Sequence, residues 1–435
     1  MTTQRNDRSA AGTGAPPRPE PAPAVTGFDN DRASATLGES FRAWIDRLRG
    51  GDMGSLPAVM GLVVLFVVFT SLRPETFTSN LNIANLMVQA SAISVLAMGL
   101  VPVLLIGEID LSAGVTGGMA AGFAAVALDR NGQPWPVAVL IALAVGAAVG
   151  VTIGLLVAKL GIPSFVVTLA FFLGLQGITL KLIGLGGTVP VRDEVLRAIT
   201  IKSMPVLAGW ILVIALLALY GGLLFWRQSR LAAKGLHRPP TSLLVVKFAG
   251  LCAVILAMTA LLSQNRSRIP TFTIEGIPYA VFLVGALLIF WSVVFGRTGY
   301  GRHIYAIGGN AEAARRAGIG VPRLKVSAFV ICSSMAAISG IISASYTGKV
   351  SPGSGAGNVL LYAVGAAVIG GTSLFGGKGR ISDAVIGGIV IATIDNGLGL
   401  LNQSAYINYI ITGSVLLLAA SVDAISRRRR SATGT

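Results

Sequence analysis

Long apolar runs, separated by short polar segments, make up most of the chain. A helix needs about 20 apolar residues to cross the hydrocarbon core of a membrane, and many of the runs approach that length. Twelve candidate spans follow one another, starting near Leu56, Ile83, Val115, Val137, Phe165, Val206, Leu243, Ile277, Val326, Val359, Ala384 and Ile407. The pattern predicts an all-α, polytopic membrane protein.

Basic residues are concentrated in alternate polar segments. Loops that face the cytoplasm carry an excess of Lys and Arg. Counting through the spans, the strongly basic segments fall on one side of the membrane; they are residues 42–49, 227–238, 297–325, 378–380 and 427–430. The distribution predicts that both termini lie in the cytoplasm.

The two ends of the chain differ from its apolar body. Residues 1–50 are rich in Pro, Ala, Gly and charged residues, which predicts a disordered cytoplasmic tail without a signal peptide. Residues 51–426 form the predicted transmembrane domain. Residues 427–435 form a basic cytoplasmic end, in which Arg427–Arg430 anchors the last span at the inner surface.

Two segments echo each other and indicate an internal repeat. Leu105–Gly114 reads LIGEIDLSAG and Val368–Gly377 reads VIGGTSLFGG. A second echo pairs residues 154–165 with residues 397–406. The two echoes are about 50 residues apart in the first copy and about 30 in the second. Because a duplicated unit should keep its spacing, one segment is expected to be re-entrant or a broken helix, and ten to twelve spans are predicted.

Composition supports a membrane protein. Hydrophobic residues make up 53% of the 435 and charged residues 12%, against about 25% charged in soluble domains. The net charge of +16 is explained by topology rather than by nucleic-acid binding, because the basic residues lie between apolar runs. With only two histidines, nothing indicates a metal site, a cofactor or catalysis by histidine.

Glycines recur at four-residue spacing within the apolar runs. Gly146, Gly150 and Gly154 share one helix face, as do Gly118 and Gly122. Small residues at this spacing let helix backbones approach closely in a membrane.

Several polar side chains interrupt the apolar runs and are candidates for a translocation path. Polar and charged groups at membrane depth are costly and usually line a cavity or pair with each other. The candidates are Asn82, Asn85, Gln89, Asp110, Ser112, Asp395 and Asn396. The amides can bind sugar hydroxyls or bond neighbouring helices, and Asp110, with Glu108, lies either at a polar hinge or in a loop at a helix end. A catalytic pair is disfavoured because no nucleophile or metal ligand is nearby.

The polar segment Gly296–Lys325 contains a short helix with both ends marked. Asn310 is a good N-cap, Glu312 suits the first turn, and Gly318 suits the left-handed C′ position. Arg315 and Arg316 occupy the last turn. A helix this short is unstable alone, so it is either a docking helix for a cytoplasmic partner or part of an ordinary basic loop that fixes topology.

The glycine-rich runs do not form an ATP site. In GGTSLFGGKGR, Thr372 stands where a phosphate-binding loop needs glycine, and Lys378 is followed by Gly379 rather than Ser or Thr. If transport is driven by ATP, the ATPase is therefore a separate chain.

The motifs GEIDLSAG, VAKLGIPSFVVTLA, YAIGGNAEAARRAGI and VIGGTSLFGG resemble those of permease subunits of ribose- and xylose-type sugar ABC importers. The resemblance covers roughly residues 56–425, and the extra apolar run in 227–263 resembles the xylose branch. The family signature has glycine where this chain has Glu108. The resemblance implies a coupling helix that contacts the ATPase through Gly308, Gly309, Asn310, Glu312, Ala313, Arg315, Arg316 and Gly318.

The resemblance also implies partners. These are a cytoplasmic ATPase subunit, expected to be a tandem-domain protein, an extracytoplasmic sugar-binding protein and a second permease copy, in the cytoplasmic membrane of a bacterium. The chain itself would not be an enzyme. Three alternatives stay open: an ion-coupled secondary transporter using Asp110 and Asp395, a membrane assembly or sensor protein, and an ABC permease for a nucleoside or branched-chain amino acid.

Overall fold

The computed structural model describes residues 54–235, 240–267 and 271–402, together with 38, 269, 406, 407, 409–414, 417 and 421. The predicted tail 1–50, apart from position 38, and the predicted basic end 427–435 lie outside the described residues. The helices are α1 (Leu56–Leu72), α2 (Pro74–Phe77), α3 (Asn80–Leu105), α4 (Ala113–Asp129), α5 (Trp135–Ala158), α6 (Ser164–Ile183), α7 (Glu194–Ile201), α8 (Val206–Ala233), α9 (Thr241–Leu262), α10 (Tyr279–Arg297), α11 (Gly299–Gly309), α12 (Ala311–Arg316), α13 (Val321–Thr347), α14 (Val359–Gly370) and α15 (Ile381–Leu400). Strands β1 (Val189–Pro190) and β2 (Lys349–Val350) pair antiparallel, with Val189 opposite Val350.

The helices confirm the all-α membrane fold. Among the described residues, eight helices are long and apolar enough to cross a membrane, namely α3, α5, α6, α8, α9, α10, α13 and α15, and three shorter apolar helices are α1, α4 and α14. The start of each of the first eleven predicted spans lies within five residues of the first residue of one of these helices. The twelfth, near Ile407, falls where only scattered positions are described.

Helix α14 is too short to cross a bilayer. Its 12 residues extend about 18 Å, whereas the hydrocarbon core is about 30 Å thick. It is preceded by the irregular segment 351–358, which contains left-handed glycines at 355 and 357. The sequence predicts a re-entrant or broken helix, and α14 has that length, but it lies before the second repeat loop and so does not account for the unequal spacing between the echoes.

One end of the bundle gathers the loops 106–112, 159–163 and 371–380 and the segment 298–320; we call it the repeat-loop end. The Ile109 amide donates to Ser164 Oγ over 3.3 Å, which joins the first two loops. The Gly377 amide donates to the Leu105 carbonyl over 2.9 Å, which joins the first and third.

The other end carries β1 and β2, and we call it the strand end. The Arg130 guanidinium donates to the carbonyls of Leu182 and Ile183 over 3.0 and 3.2 Å. The Val191 amide donates to the Gly348 carbonyl over 2.9 Å. Of the basic segments that the charge pattern assigned to one side of the membrane, 297–325 and 378–380 lie together at the repeat-loop end.

Helices α3 and α13 form the centre of the bundle, and α5 packs along α13. A Cβ on Gly150 would lie 2.6 Å from the Phe329 carbonyl oxygen, and one on Gly154 would lie 2.7 Å from Val326 Cα. Gly146 approaches α13 equally closely. The glycine spacing seen in the sequence thus marks a close helix contact, because any larger residue would force the two backbones apart.

Helices α8 and α9 form a hairpin at the margin of the bundle. A buried arginine ties its strand end to neighbouring segments. Arg266 is only 8% exposed and donates to the carbonyls of Leu262 and Gly276 over 2.9 and 3.0 Å, and to Ser203 Oγ over 2.7 Å. These bonds fix the turn after α9 against the segment that precedes α8.

Candidate functional site

The short helix α12 has the caps that its sequence predicts. The Ala313 amide donates to Asn310 Oδ1 over 2.9 Å, which satisfies the N-terminus. At the other end, the Gly318 amide bonds the Arg315 carbonyl and the Ile319 amide bonds the Ala314 carbonyl, the two bonds of a Schellman motif. Gly318 has a φ of +83°, a left-handed conformation that favours glycine.

The charged side chains of α12 point away from the bundle. Glu312 accepts hydrogen bonds from Arg315 and Arg316 over 2.9 and 3.2 Å, and all three side chains are at least half exposed. The hydrogen bond from Arg315, and after it the one from Arg316, lower the pKa of the Glu312 carboxyl below its ordinary value. Ala314 is buried on the opposite side of the helix. The helix therefore presents a polar, largely basic surface and is held from below by a small apolar contact.

Helix α11 places α12 against the bundle through a glycine. Gly308 is so close to two loops that a Cβ there would lie 2.5 Å from the Gly377 amide nitrogen and closer still to the Leu105 carbonyl oxygen. Ile304 and Ile307 of α11 are buried beside it. The contact of Leu105, Gly308 and Gly377 is called the three-loop junction below. Gly309, next in sequence, is exposed and has no atom within 4 Å of such a Cβ.

The two copies of the first sequence echo meet at the three-loop junction. The loop 106–112 joins α3 to α4, and the loop 371–380 joins α14 to α15, so both copies follow one helix and precede another. Tyr305 of α11 reaches the second loop and donates to the Gly379 carbonyl over 2.7 Å. The second echo behaves differently: residues 154–165 lead into the repeat-loop end, whereas residues 397–402 lie at the strand end beside Phe69.

An ion pair links the first repeat loop to the chain that leaves α12. Lys325, in the first turns of α13, bonds Glu108, and the two side chains are only 23% and 16% exposed. Glu108 therefore belongs to a loop at a helix end, one of the two placements that the sequence left open. Its partner Lys325 was not singled out from the sequence, nor was Tyr305 as a contact of the second loop.

Asp110 and Ser112 are fully buried in the same loop. Asp110 Oδ1 accepts hydrogen bonds from the Ser112 amide and hydroxyl over 2.9 and 2.6 Å. Burial raises the pKa of Asp110 above its ordinary value. Neither residue lines the cavity of about 390 Å³ that lies among α3, α4, α13, α14 and α15 toward the strand end. Their contacts are those of a turn that leads into α4.

A cavity of about 390 Å³ lies among α3, α4, α13, α14 and α15 and is bordered at the strand end by residues 347–355. Most of its lining is apolar, with several polar side chains among the lining residues. Its volume falls in the range of about 300–1,000 Å³ typical of small-molecule sites. Of the predicted path residues, Gln89 and Asp395 line it. Gln89 Nε2 donates to the Tyr346 hydroxyl over 3.2 Å. The other polar lining residues are Ser339, Ser343, Thr347, Lys349, Ser354 and Tyr362.

Three further amides predicted for the path have different surroundings. Asn82 and Asn396 donate to each other over 2.9 and 3.0 Å and are nearly buried, which joins α3 to α15. Asn396 also approaches Gln89 Oε1 at 3.5 Å. Asn85 is exposed and outside the cavity lining. The structure thus brings Gln89 and Asp395 together at the cavity, with the Asn82–Asn396 pair behind Gln89.

The chain matches known permeases over most of its length. Residues 82–234 and 240–420 match the family described as the permease component of the branched-chain amino acid transport system. The xylose transport system permease protein of Escherichia coli K12 is 36% identical over 374 residues, which cover 85% of this chain and 92% of that protein.

Two other relatives extend the likeness. The xylose transport system permease protein of Haemophilus influenzae Rd is 34% identical over 373 residues, covering 85% of this chain and 96% of that protein. The ribose import permease protein of Escherichia coli K12 is 30% identical over 370 residues, covering 84% and 92%. No solved structure matches the chain. The chain belongs to this family of transport-system permease components.

Proposed function

We propose that the chain is the membrane-spanning subunit of an ATP-driven importer that carries xylose or a similar monosaccharide across the cytoplasmic membrane of a bacterium. The support for a sugar is the identity to xylose and ribose permeases over more than four-fifths of the chain. The family description supports a second cargo, a branched-chain amino acid. Uptake assays with both solutes separate the two.

The observation that carries the proposal is the placement of α12. Its charged side chains are exposed, while the adjoining α11 inserts Gly308 between the two repeat loops. A partner that moves α12 therefore displaces the loops that end α3 and α14 as well. We infer that α12 docks on a cytoplasmic ATPase, which puts the repeat-loop end, and with it the start of α1, inside the cell. The twelfth predicted span would return the C-terminus to the same side.

The implied motion uses contacts already described. Closure of the ATPase, which we expect to be a tandem-domain protein, would shift α12. The three-loop junction and the Glu108–Lys325 pair would pass this shift to α3, α13 and α14. Because a ligand shifts a conformational equilibrium only by its differential affinity for the two states, the energy comes from ATP binding outside this chain.

The cavity at the strand end is the proposed entrance of the path. It combines an amide, hydroxyls, a carboxylate at Asp395 and an ammonium at Lys349, groups that can exchange hydrogen bonds with sugar hydroxyls. An extracytoplasmic binding protein would deliver the sugar to this end. A second copy of the chain would complete the path.

Charge reversal on α12 tests the docking. The double variant Arg315→Glu, Arg316→Glu should abolish stimulation of the ATPase by the permease and binding protein, because a basic surface becomes acidic. Arg197→Glu, at an exposed position of α7 at the strand end, is the control for charge reversal and should leave binding of the ATPase to the permease intact, whereas the α12 variant should lose that binding as well. Normal stimulation by the α12 variant would refute the docking. Uptake driven by an ion gradient without any ATPase would support the secondary-transporter alternative instead.

A further inference from the structure

The α8–α9 hairpin stands largely clear of the bundle. Its contacts with the rest of the chain concentrate near the strand end, where Val213 and Leu262 pack with Ala84 and Ile277. About half of its remaining large apolar side chains are exposed, including Leu219, Leu223 and Val254. In a membrane these surfaces face lipid.

A groove of about 250 Å³ runs between the two helices of the hairpin, away from that contact. Phe248 forms its floor, with ring centroids 6.2 Å from those of both Tyr220 and Phe225. Gly221 makes room for this ring, since a Cβ there would lie 2.6 Å from Phe248 Cζ. The lining residues are Tyr220, Leu224, Leu243, Leu244, Lys247, Phe248 and Leu251.

Among the described residues that line the groove, one is charged, and its charge is positive. Lys247 is exposed and lies about 9 Å along α9 from Thr241, given a rise of about 1.5 Å per residue. The aromatic contacts of Phe248 place it level with residues 220–225 of α8, just before Trp226, which stacks on the Arg230 guanidinium at 4.9 Å. Tryptophan and arginine at a helix end mark the level of the lipid headgroups, so Lys247 lies just below them.

The surrounding sequence is entirely free of acidic residues. No Asp or Glu occurs from residue 195 to residue 274, whereas the last turns of α8 and the start of its loop add Arg227, Arg230 and Lys234. A partner transmembrane helix seated here would bury Lys247 at a considerable cost. A ligand with an apolar tail and an anionic head satisfies both the groove and the charge.

We propose that this groove binds one anionic phospholipid, with an acyl chain along Phe248 and Leu251 and the phosphate between Lys247 and Arg227. Basic pockets between membrane helices bind such headgroups by direct charge pairing. The lipid fills a gap between α8 and α9 that the chain itself leaves open, so it also stabilises the hairpin.

The test uses the purified full-length protein in neutral detergent, titrated with phosphatidylglycerol or phosphatidylcholine and observed by native mass spectrometry. We expect a distinct first phosphatidylglycerol to bind, and phosphatidylcholine to bind more weakly. Lys247→Gln should weaken that first binding about five-fold, the effect of one basic contact. Lys247→Arg should retain it, as should Lys181→Gln, which removes an exposed lysine from α6.

Leu244→Trp supplies a second test that keeps the charge. The added ring should fill the groove and displace the lipid even though Lys247 is intact. The proposal is overturned if both lipids bind equally to the native chain, if Lys247→Gln and Lys181→Gln behave alike, or if Leu244→Trp binds phosphatidylglycerol normally.

Discussion

At the scale of single residues, the three-loop junction depends on the absence of a side chain at position 308. The neighbouring glycines 308 and 309 look equivalent in the sequence, yet only the first lies against two backbones. Sequence reasoning selected both for the coupling segment and had no means of separating them, because Leu105 and Gly377 are far away along the chain.

Replacing Gly308 with alanine should therefore damage the protein while the same change at Gly309 does not. The new methyl group would meet the Leu105 carbonyl and the Gly377 amide, and overpacking of this kind costs about 1–3 kcal/mol. We expect a lower melting temperature and reduced uptake for Gly308→Ala. Melting curves of both variants in the same detergent check this, and equal curves would show that the junction is not tightly packed.

The Glu108–Lys325 pair should contribute measurable coupling between the first repeat loop and α13. Because both side chains are mostly buried, removing one leaves the other poorly solvated, and we expect a coupling energy of about 1–2 kcal/mol. A double-mutant cycle with Glu108→Gln and Lys325→Met measures it through thermal or denaturant unfolding.

The exposed pair Glu194–Lys202, 4.0 Å apart, is the control for that cycle and should show no measurable coupling. The single substitutions should also reduce uptake, and the double variant Glu108→Lys, Lys325→Glu, which exchanges the two charges, should restore part of it. If the effects of Glu108→Gln and Lys325→Met on the free energy of unfolding simply add, the pair does not join the first repeat loop to α13.

At the scale of helices and loops, hydropathy and capping were sufficient to locate most elements. The first eleven spans and the helix α12 appear where the apolar runs and the Asn310 and Gly318 caps predict them. These features are local: a span needs only its own apolar length, and a cap needs only its neighbours.

Contacts between distant segments were not predictable in the same way. Asn82 and Asn396 are 314 residues apart, and Glu108 and Lys325 are 217 apart. The sequence identified Asn82, Asn396 and Glu108 as unusual polar residues in or beside apolar runs. The sequence did not reveal that Asn82 and Asn396 bond each other instead of lining the cavity.

Arg266 is an element-scale feature that was missed, because an arginine in a polar loop looks ordinary. Replacement by methionine would remove the hydrogen bonds to the Gly276 carbonyl and the Ser203 hydroxyl, while the Leu262 carbonyl would still accept from the Gly276 amide. The lost hydrogen bonds should lower the free energy of unfolding by about 2–3 kcal/mol. Arg197→Met, at an exposed position of α7, is the matched control. Unfolding curves that do not differ between the two variants would show that Arg266 does not hold the hairpin.

At the scale of the whole molecule, the bundle places a cavity with several polar side chains at one end and an exposed, capped helix at the other. The two ends are connected by α3 and α13, which run the length of the bundle and form its core. The arrangement suits a protein in which a partner moves α12 at one end and the helices around the cavity at the other end move with it. An enzyme-like site is not needed for that role, because the solute is moved without chemical change.

The most direct measurement is uptake of labelled xylose by vesicles that contain the permease, its ATPase and its binding protein. The account predicts that uptake requires ATP and all three proteins. Arg315→Glu, Arg316→Glu should abolish both uptake and binding of the ATPase to the permease, while Arg197→Glu should leave that binding intact. Uptake by the permease alone, or ATP-driven uptake that survives charge reversal on α12, would contradict the account.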